Sequence, residues 1–252
     1  MADRFLRSGN PGLNDKTFAN QPLVGIGGER MTVQGAVNKS FLLLVVLLAG
    51  ALWPWSQYLS AGDASVVGPA ALIGVIGGLI CAVIISFKPT TAPYLAIPYA
   101  ALEGLAMGAI SAMFERRYPG IAMQAVGATF AVFAAMLLAY KTGLIRATER
   151  FRAVVVGATG AICLFYVVNL VLGLFHVNTG AVMGGSALGI GISLAIICVA
   201  ALNLILDFDI METGAARGAP KYMEWFSAFG LLVTLVWLYM EILRLLANTR
   251  RN

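Results

Sequence analysis

Charge is what this chain has least of. Only 12% of its 252 residues are Asp, Glu, Lys or Arg, against about 25% in soluble domains. With 60% hydrophobic residues and a mean hydropathy of +0.85, a water-soluble globular domain is excluded and a polytopic membrane protein is expected. Histidine is nearly absent. His176 stands alone in a short loop, which excludes a His-rich zinc site and an ordinary Ser-His catalytic system. Cysteine is scarce: Cys81, Cys163 and Cys198 all lie in apolar runs, with no CxxC and no Cys/His cluster. They read as small packing residues rather than metal ligands or redox pairs. The opening stretch has no apolar h-region, so no cleavable signal peptide is expected. No internal repeat is visible, and the paired broken helices of an inverted-repeat transporter are missing. The net charge of +5 does not point to nucleic acid, because the positive residues sit in loops and tails, where membrane orientation accounts for them.

What the chain does have is long apolar runs. About 20 such residues cross the hydrocarbon core, and seven stretches qualify: Ser40–Leu59, Val66–Phe87, Pro93–Met113, Gly120–Tyr140, Arg152–Leu174, Ala187–Leu206 and Trp225–Ala247. Connections are short. The expected fold is therefore all-α, a seven-transmembrane-helix bundle over residues 40–247, after a disordered basic tail (residues 1–39) and before a short C-terminal tail (residues 248–252). With the N-terminus in the cytoplasm, the inside segments hold 12 Lys and Arg and the outside segments 5, the bias expected of an inner-membrane protein. The last three outside arginines, Arg244, Arg250 and Arg251, are discordant. A re-entrant last span would return them to the cytoplasm, but the length of that span favours a full crossing. Glycines at GxxxG spacing (Gly104/Gly108, Gly180/Gly184, Gly185/Gly189) indicate close helix packing rather than a specific dimer. Trp53 and Trp55 flank Pro54 as an interfacial anchor.

Against this background each intramembrane acid is conspicuous. A charged Asp at a helix centre costs roughly 2.5–3.5 kcal/mol on insertion scales, so such residues are functional-site hypotheses by default. Glu103 lies near the middle of the third span with no sequence-local cation. It must face the bundle, be protonated or touch water; a neutral Glu bonded to another helix and a member of an ion or proton path are both open. In Leu204-Ile205-Leu206-Asp207-Phe208-Asp209-Ile210-Met211-Glu212, Asp207 and Asp209 point to nearly opposite sides of a helix. Asn203 and Asp207 share a face, as do Asp209 and Glu212. Asp207 is therefore placed toward the bundle with Asn203 a turn away. Asp209 and Glu212 face the boundary near Arg217 and Lys221, and all three acids serving only as boundary residues is the competing account. Glu224 opens the last span, where the helix dipole favours an acid. Glu241 has Arg244 at i+3, the spacing of a local ion pair. An intramembrane aspartyl protease would need a second catalytic Asp in a following helix, and none follows Asp209. A Ser-His hydrolase would have only Ser186 near His176. No enzyme activity and no cofactor or bound metal beyond weak calcium binding are expected.

The stretch Ala201 to Ala247, ALNLILDFDIMETGAARGAPKYMEWFSAFGLLVTLVWLYMEILRLLA, resembles the Bax inhibitor family of membrane proteins, in particular its bacterial branch. The segment Glu103-Gly-Leu-Ala-Met-Gly-Ala and the seven-span layout fit as well. The resemblance implies a bundle with the last helix central and a pH-sensitive calcium leak. It also implies two aspartates, one on each of the last two helices, joined by a proton-dependent interaction that closes the pore. Asp207 matches the first. The second should fall near Ala228 to Leu232, where no acid stands, and the second span lacks the arginine that relatives carry. Glu103 is the first candidate for a replacement. The partners implied are the lipid bilayer and calcium or another cation, in a bacterial inner membrane. The alternative is a non-conducting regulator that uses its basic tail to bind another membrane protein, such as a protease.

Overall fold

In lipid every backbone N–H and C=O must be satisfied within the chain, which leaves helices as the way for apolar runs of this length to cross. The computed structural model describes residues 29–61, 64–175 and 184–251, and among them seven helices are long and apolar enough to span a membrane. They are α1 (Val33–Ala61), α2 (Ala64–Phe87), α3 (Ala92–Arg117), α4 (Ile121–Lys141), α5 (Glu149–Leu174), α6 (Ala187–Ala216) and α7 (Met223–Arg251), with a 3-10 turn at Pro89–Thr91 before α3. The chain is an all-α integral membrane protein, as expected. His176 and Gly180 lie outside the described residues, as does most of the expected tail.

The described residues form two units. One holds the residues up to Arg116 and Asp209–Leu232; the other holds Arg117–Phe208 and those from Val233 onward. Within the first unit, α3 is flanked by α1 and α2 through glycine. A Cβ on Gly108 or Gly104 would run into the carbonyl oxygens of Ala51 and Leu47 on α1, and one on Gly50 would lie 2.7 Å from the Ala101 carbonyl oxygen of α3. On the α2 side, a Cβ on Gly74 would lie 2.5 Å from the Leu102 carbonyl oxygen. Small residues let the backbones approach this closely, so the Gly104/Gly108 spacing does mark helix packing within the chain. Burial differs sharply between helices. The most apolar stretch of α7 is 61% buried and that of α5 only 6%, which makes α7 a core helix and leaves α5 largely to lipid.

Several boundaries differ from the expected ones. α1 begins at Val33 rather than Ser40, so residues 29–39 are not part of a disordered tail. Thr32 caps the helix, its Oγ1 accepting the Gly35 N–H at 3.0 Å, and its polar first turns find partners on α7. α6 continues past Leu206 to Ala216, because a helix need not end where its apolar run ends. Gly218, at φ 69°, provides the left-handed turn after it. α7 extends beyond Trp225–Ala247 at both ends, which absorbs most of the expected C-terminal tail.

Candidate functional site

In the second unit, α6 carries Asp207 among Leu204, Ile205, Leu206 and Phe208, all buried. The Phe208 ring packs on Phe133 at 5.6 Å and Tyr140 at 5.8 Å between centroids. The neighbours of Asp207 along the helix are therefore apolar and buried. Its bond comes from α7, where the Thr234 hydroxyl donates to it. Among the described residues, its other oxygen, Oδ2, is fully buried and has no hydrogen-bond partner. A buried acceptor left unpaired costs about 1–3 kcal/mol, more when charged, and native structures seldom keep one without a use.

The last-helix aspartate expected near Ala228 to Leu232 has no counterpart in that stretch. Ala228, Phe229, Leu231 and Leu232 are buried apolar residues, and Phe229 meets Tyr99 edge-on at 4.9 Å. The residue that reaches Asp207 from α7 is Thr234, just beyond. Sequence reasoning passed over it because it ranked acids and neglected hydroxyls, although a lone Thr between Val233 and Leu235 in an apolar span is itself a signal.

Asn203 is one turn from Asp207, but its amide is committed elsewhere. It donates to Thr159 Oγ1 on α5 at 2.8 Å and to the Val199 carbonyl at 2.8 Å. Its visible role is to tie α6 to α5 rather than to serve the carboxylate. Asp209 and Glu212 belong to the first unit, within the α6 helix rather than beyond its end; Glu212 is exposed and Asp209 half-buried. Glu103 also belongs to the first unit, in the middle of α3, where its carboxyl group lies against Gly78 of α2.

Two further acids make built networks. Glu224 is fully buried at the start of α7. Its Oε1 accepts the Thr32 N–H and the Thr32 hydroxyl, both at 2.9 Å, and its Oε2 accepts from the Lys39 ammonium. Lys221 adds an ion pair at 3.3 Å, and Lys39 also lies 5.3 Å from the centre of the Trp225 ring. The carboxylate thus sits at the positive ends of two helices, α1 and α7. Its expected part, a favourable charge in one first turn, was too small. In the second unit, Glu241 is 2% exposed and pairs with Arg244 at 3.3 Å, as its spacing suggested. Tyr166 of α5 completes that site, donating to Glu241 Oε1 at 2.5 Å and accepting from Arg244 at 2.8 Å.

Among known families, the one described as Bax inhibitor 1 like matches residues 8–251. The chain belongs to the Bax inhibitor 1 like family. No curated protein and no solved structure matches it significantly. In this Bax inhibitor 1 like protein, Asp207 meets a hydroxyl, and the stretch where the resemblance implied a second aspartate carries no acid. Among the described residues, no three His, Cys, Asp or Glu side chains cluster as metal ligands would. Calcium takes 6–8 oxygens, so any cation meeting Asp207 would have to be held by this one carboxylate together with carbonyls and water.

Proposed function

We propose that the protein is a pH-sensitive cation leak, with calcium as the expected ion, controlled by the protonation of Asp207. The observation that carries this reading is the buried Oδ2 of Asp207, without a hydrogen-bond partner among the described residues, on a carboxylate to which Thr234 is bonded. A protonated Asp207 is neutral and fits that site. An ionised one leaves a charged oxygen buried without a partner, which an apolar interior does not tolerate. The ionised state is relieved by water or a cation reaching the carboxylate, which separates α6 from α7 at this level. In a two-aspartate latch, repulsion between like charges opens the contact. Here desolvation of a single charge does so, and the response follows one titrating group instead of a coupled pair. A weak, single-carboxylate site suits permeation, which requires an ion to leave as easily as it enters.

The test is calcium flux into dye-loaded liposomes holding the purified full-length protein. Flux is expected to rise from acidic to alkaline buffer. Asp207→Asn, which fixes a neutral side chain, is expected to bring flux down to the level of empty liposomes at every pH. Flux that keeps its pH dependence in Asp207→Asn overturns the assignment of Asp207. Flux indistinguishable from empty liposomes in the unmodified protein overturns conduction itself. The second outcome leaves the non-conducting regulator, for which binding of a membrane-protein partner should be lost on deleting residues 1–28 and kept in Asp207→Asn.

A further inference from the structure

Glu103 is a half-buried acid of the first unit that the Asp207 site does not use. It stands midway along its span, Pro89–Arg117. Across from it is Gly78, midway along the span Val67–Phe87. A Cβ added to Gly78 would lie 2.9 Å from Glu103 Oε2, so the absence of a side chain there makes the notch that the carboxyl group occupies. Leu102 and Ala106 fill the neighbouring gaps at Gly77 and Gly74, and the Tyr99 ring lies 3.9 Å from the same Gly78 position, so Glu103 is the acid of this stretch of the α2–α3 seam.

Nothing nearby can share its charge. No hydrogen bond or ion pair to Glu103 is found among the described residues. The helix faces packed on this part of α3 present Leu47, Gly50 and Ala51 from α1, Gly74, Gly77 and Gly78 from α2, and Phe229 from α7. The titratable groups at this level are Tyr99, one turn back on α3, and Cys81, one turn along α2; neither is a cation. One carboxyl group without other oxygen ligands is too few for a metal ion. The ligand that it can take alone is a proton.

We propose that Glu103 is an intramembrane proton-binding site, carried as the neutral acid in the Gly78 notch. Ionised, the side chain has no stabilising partner at that depth and must leave the notch for water. Proton loss therefore loosens the α2–α3 seam at this point. This holds whether or not the protein conducts ions, and it uses no residue of the Asp207 site.

The experiment uses the full-length protein in liposomes and dicyclohexylcarbodiimide, an apolar reagent that reacts with protonated carboxyl groups. The acid proton moves to a carbodiimide nitrogen, the carboxylate oxygen bonds to the central carbon, and the acyl group then shifts to nitrogen as a stable N-acylurea. Peptide mass spectrometry should place the adduct on Glu103, decreasing toward alkaline buffer and absent in Glu103→Gln. A water-soluble carbodiimide with an added amine should leave Glu103 unmodified. In Gly78→Ala, whose new methyl group occupies the notch, the adduct should fall. Absence of any adduct at Glu103 across the pH range, or equal modification by the water-soluble reagent, overturns the proposal. Unchanged labelling in Gly78→Ala overturns the notch as its seat. The wild-type pH profile stands alone if Glu103→Gln does not fold.

Discussion

At the scale of single residues, a dense set of bonds surrounds Glu224. Its carboxylate is fully buried and receives a backbone N–H, a hydroxyl and two ammonium groups. Gly35 makes room for it, since a Cβ there would overlap the carboxyl group. The segment before α1 follows the same path: Met31 N–H donates to the Ala219 carbonyl at 2.7 Å and Lys221 N–H to that of Glu29 at 3.2 Å. The α6–α7 loop is thereby held by the chain just ahead of α1. Removing one partner of a buried ion pair leaves an uncompensated charge and costs about 3 kcal/mol or more. Lys39→Met is therefore expected to lower the apparent melting temperature of the detergent-solubilised protein markedly. Lys39→Met/Glu224→Gln should recover part of the loss, because no charge is then stranded. A double variant as unstable as the sum of the singles would show that the two groups are not coupled. None of this could be read from the sequence. Thr32 and Glu224 are 192 positions apart, and no local pattern announces a pair at that separation. The Thr234–Asp207 contact joins two helices, and its sequence signal was the lone Thr in an apolar span. The Glu241–Arg244 pair was legible because it is one helical turn long.

At the scale of helices, the division between tight and open glycines makes a sharper test than the motif spacing. Gly104 and Gly108 face backbone atoms of α1 that cannot swing aside, whereas a Cβ added to Gly157 or Gly160 on α5 would meet nothing within 4 Å. Gly108→Leu is expected to abolish a monodisperse folded peak on size exclusion. Gly157→Ala and Gly160→Ala should leave that peak intact and raise stability slightly, as Gly→Ala in a helix gains about 0.5–1 kcal/mol. If both classes behave alike, glycine contacts do not set the α1–α3 packing. The seven helices themselves were legible, since span length follows from bilayer thickness and needs no tertiary knowledge. Their ends were not. Thr32 starts α1 with a cap, and α6 carries Asp209 and Glu212 within its helix; hydropathy responds to neither.

At the scale of the whole molecule, the remaining question is whether the last helix crosses fully, because its arginines defy the charge bias that orients the rest. α7 is unbroken over 29 residues, or roughly 43 Å at the rise of an α-helix, longer than the ~30 Å hydrocarbon core. Its start is bonded to Thr32 and Lys39 at the start of α1. Near its end, Arg250 donates to the Pro119 carbonyl at 2.9 Å and to Gln124 at 2.8 Å, beside the α3–α4 turn. The start of α7 is thus tied to the start of α1, and its end to the residues just after α3. Seven complete crossings are the expectation, because an unbroken helix of this length exceeds the hydrocarbon core. Arg250 also has a local use that explains why a cation sits against the charge bias. With Cys81, Cys163 and Cys198 replaced by Ala, Asn252→Cys should react with a membrane-impermeant maleimide in intact cells. Ser8→Cys should react only after permeabilisation, the outcome expected from the Lys and Arg bias for an inward N-terminal side. Labelling of both positions under the same condition would put the two ends on one face. It would restore the re-entrant last span and require the Arg250 ties to form without a crossing.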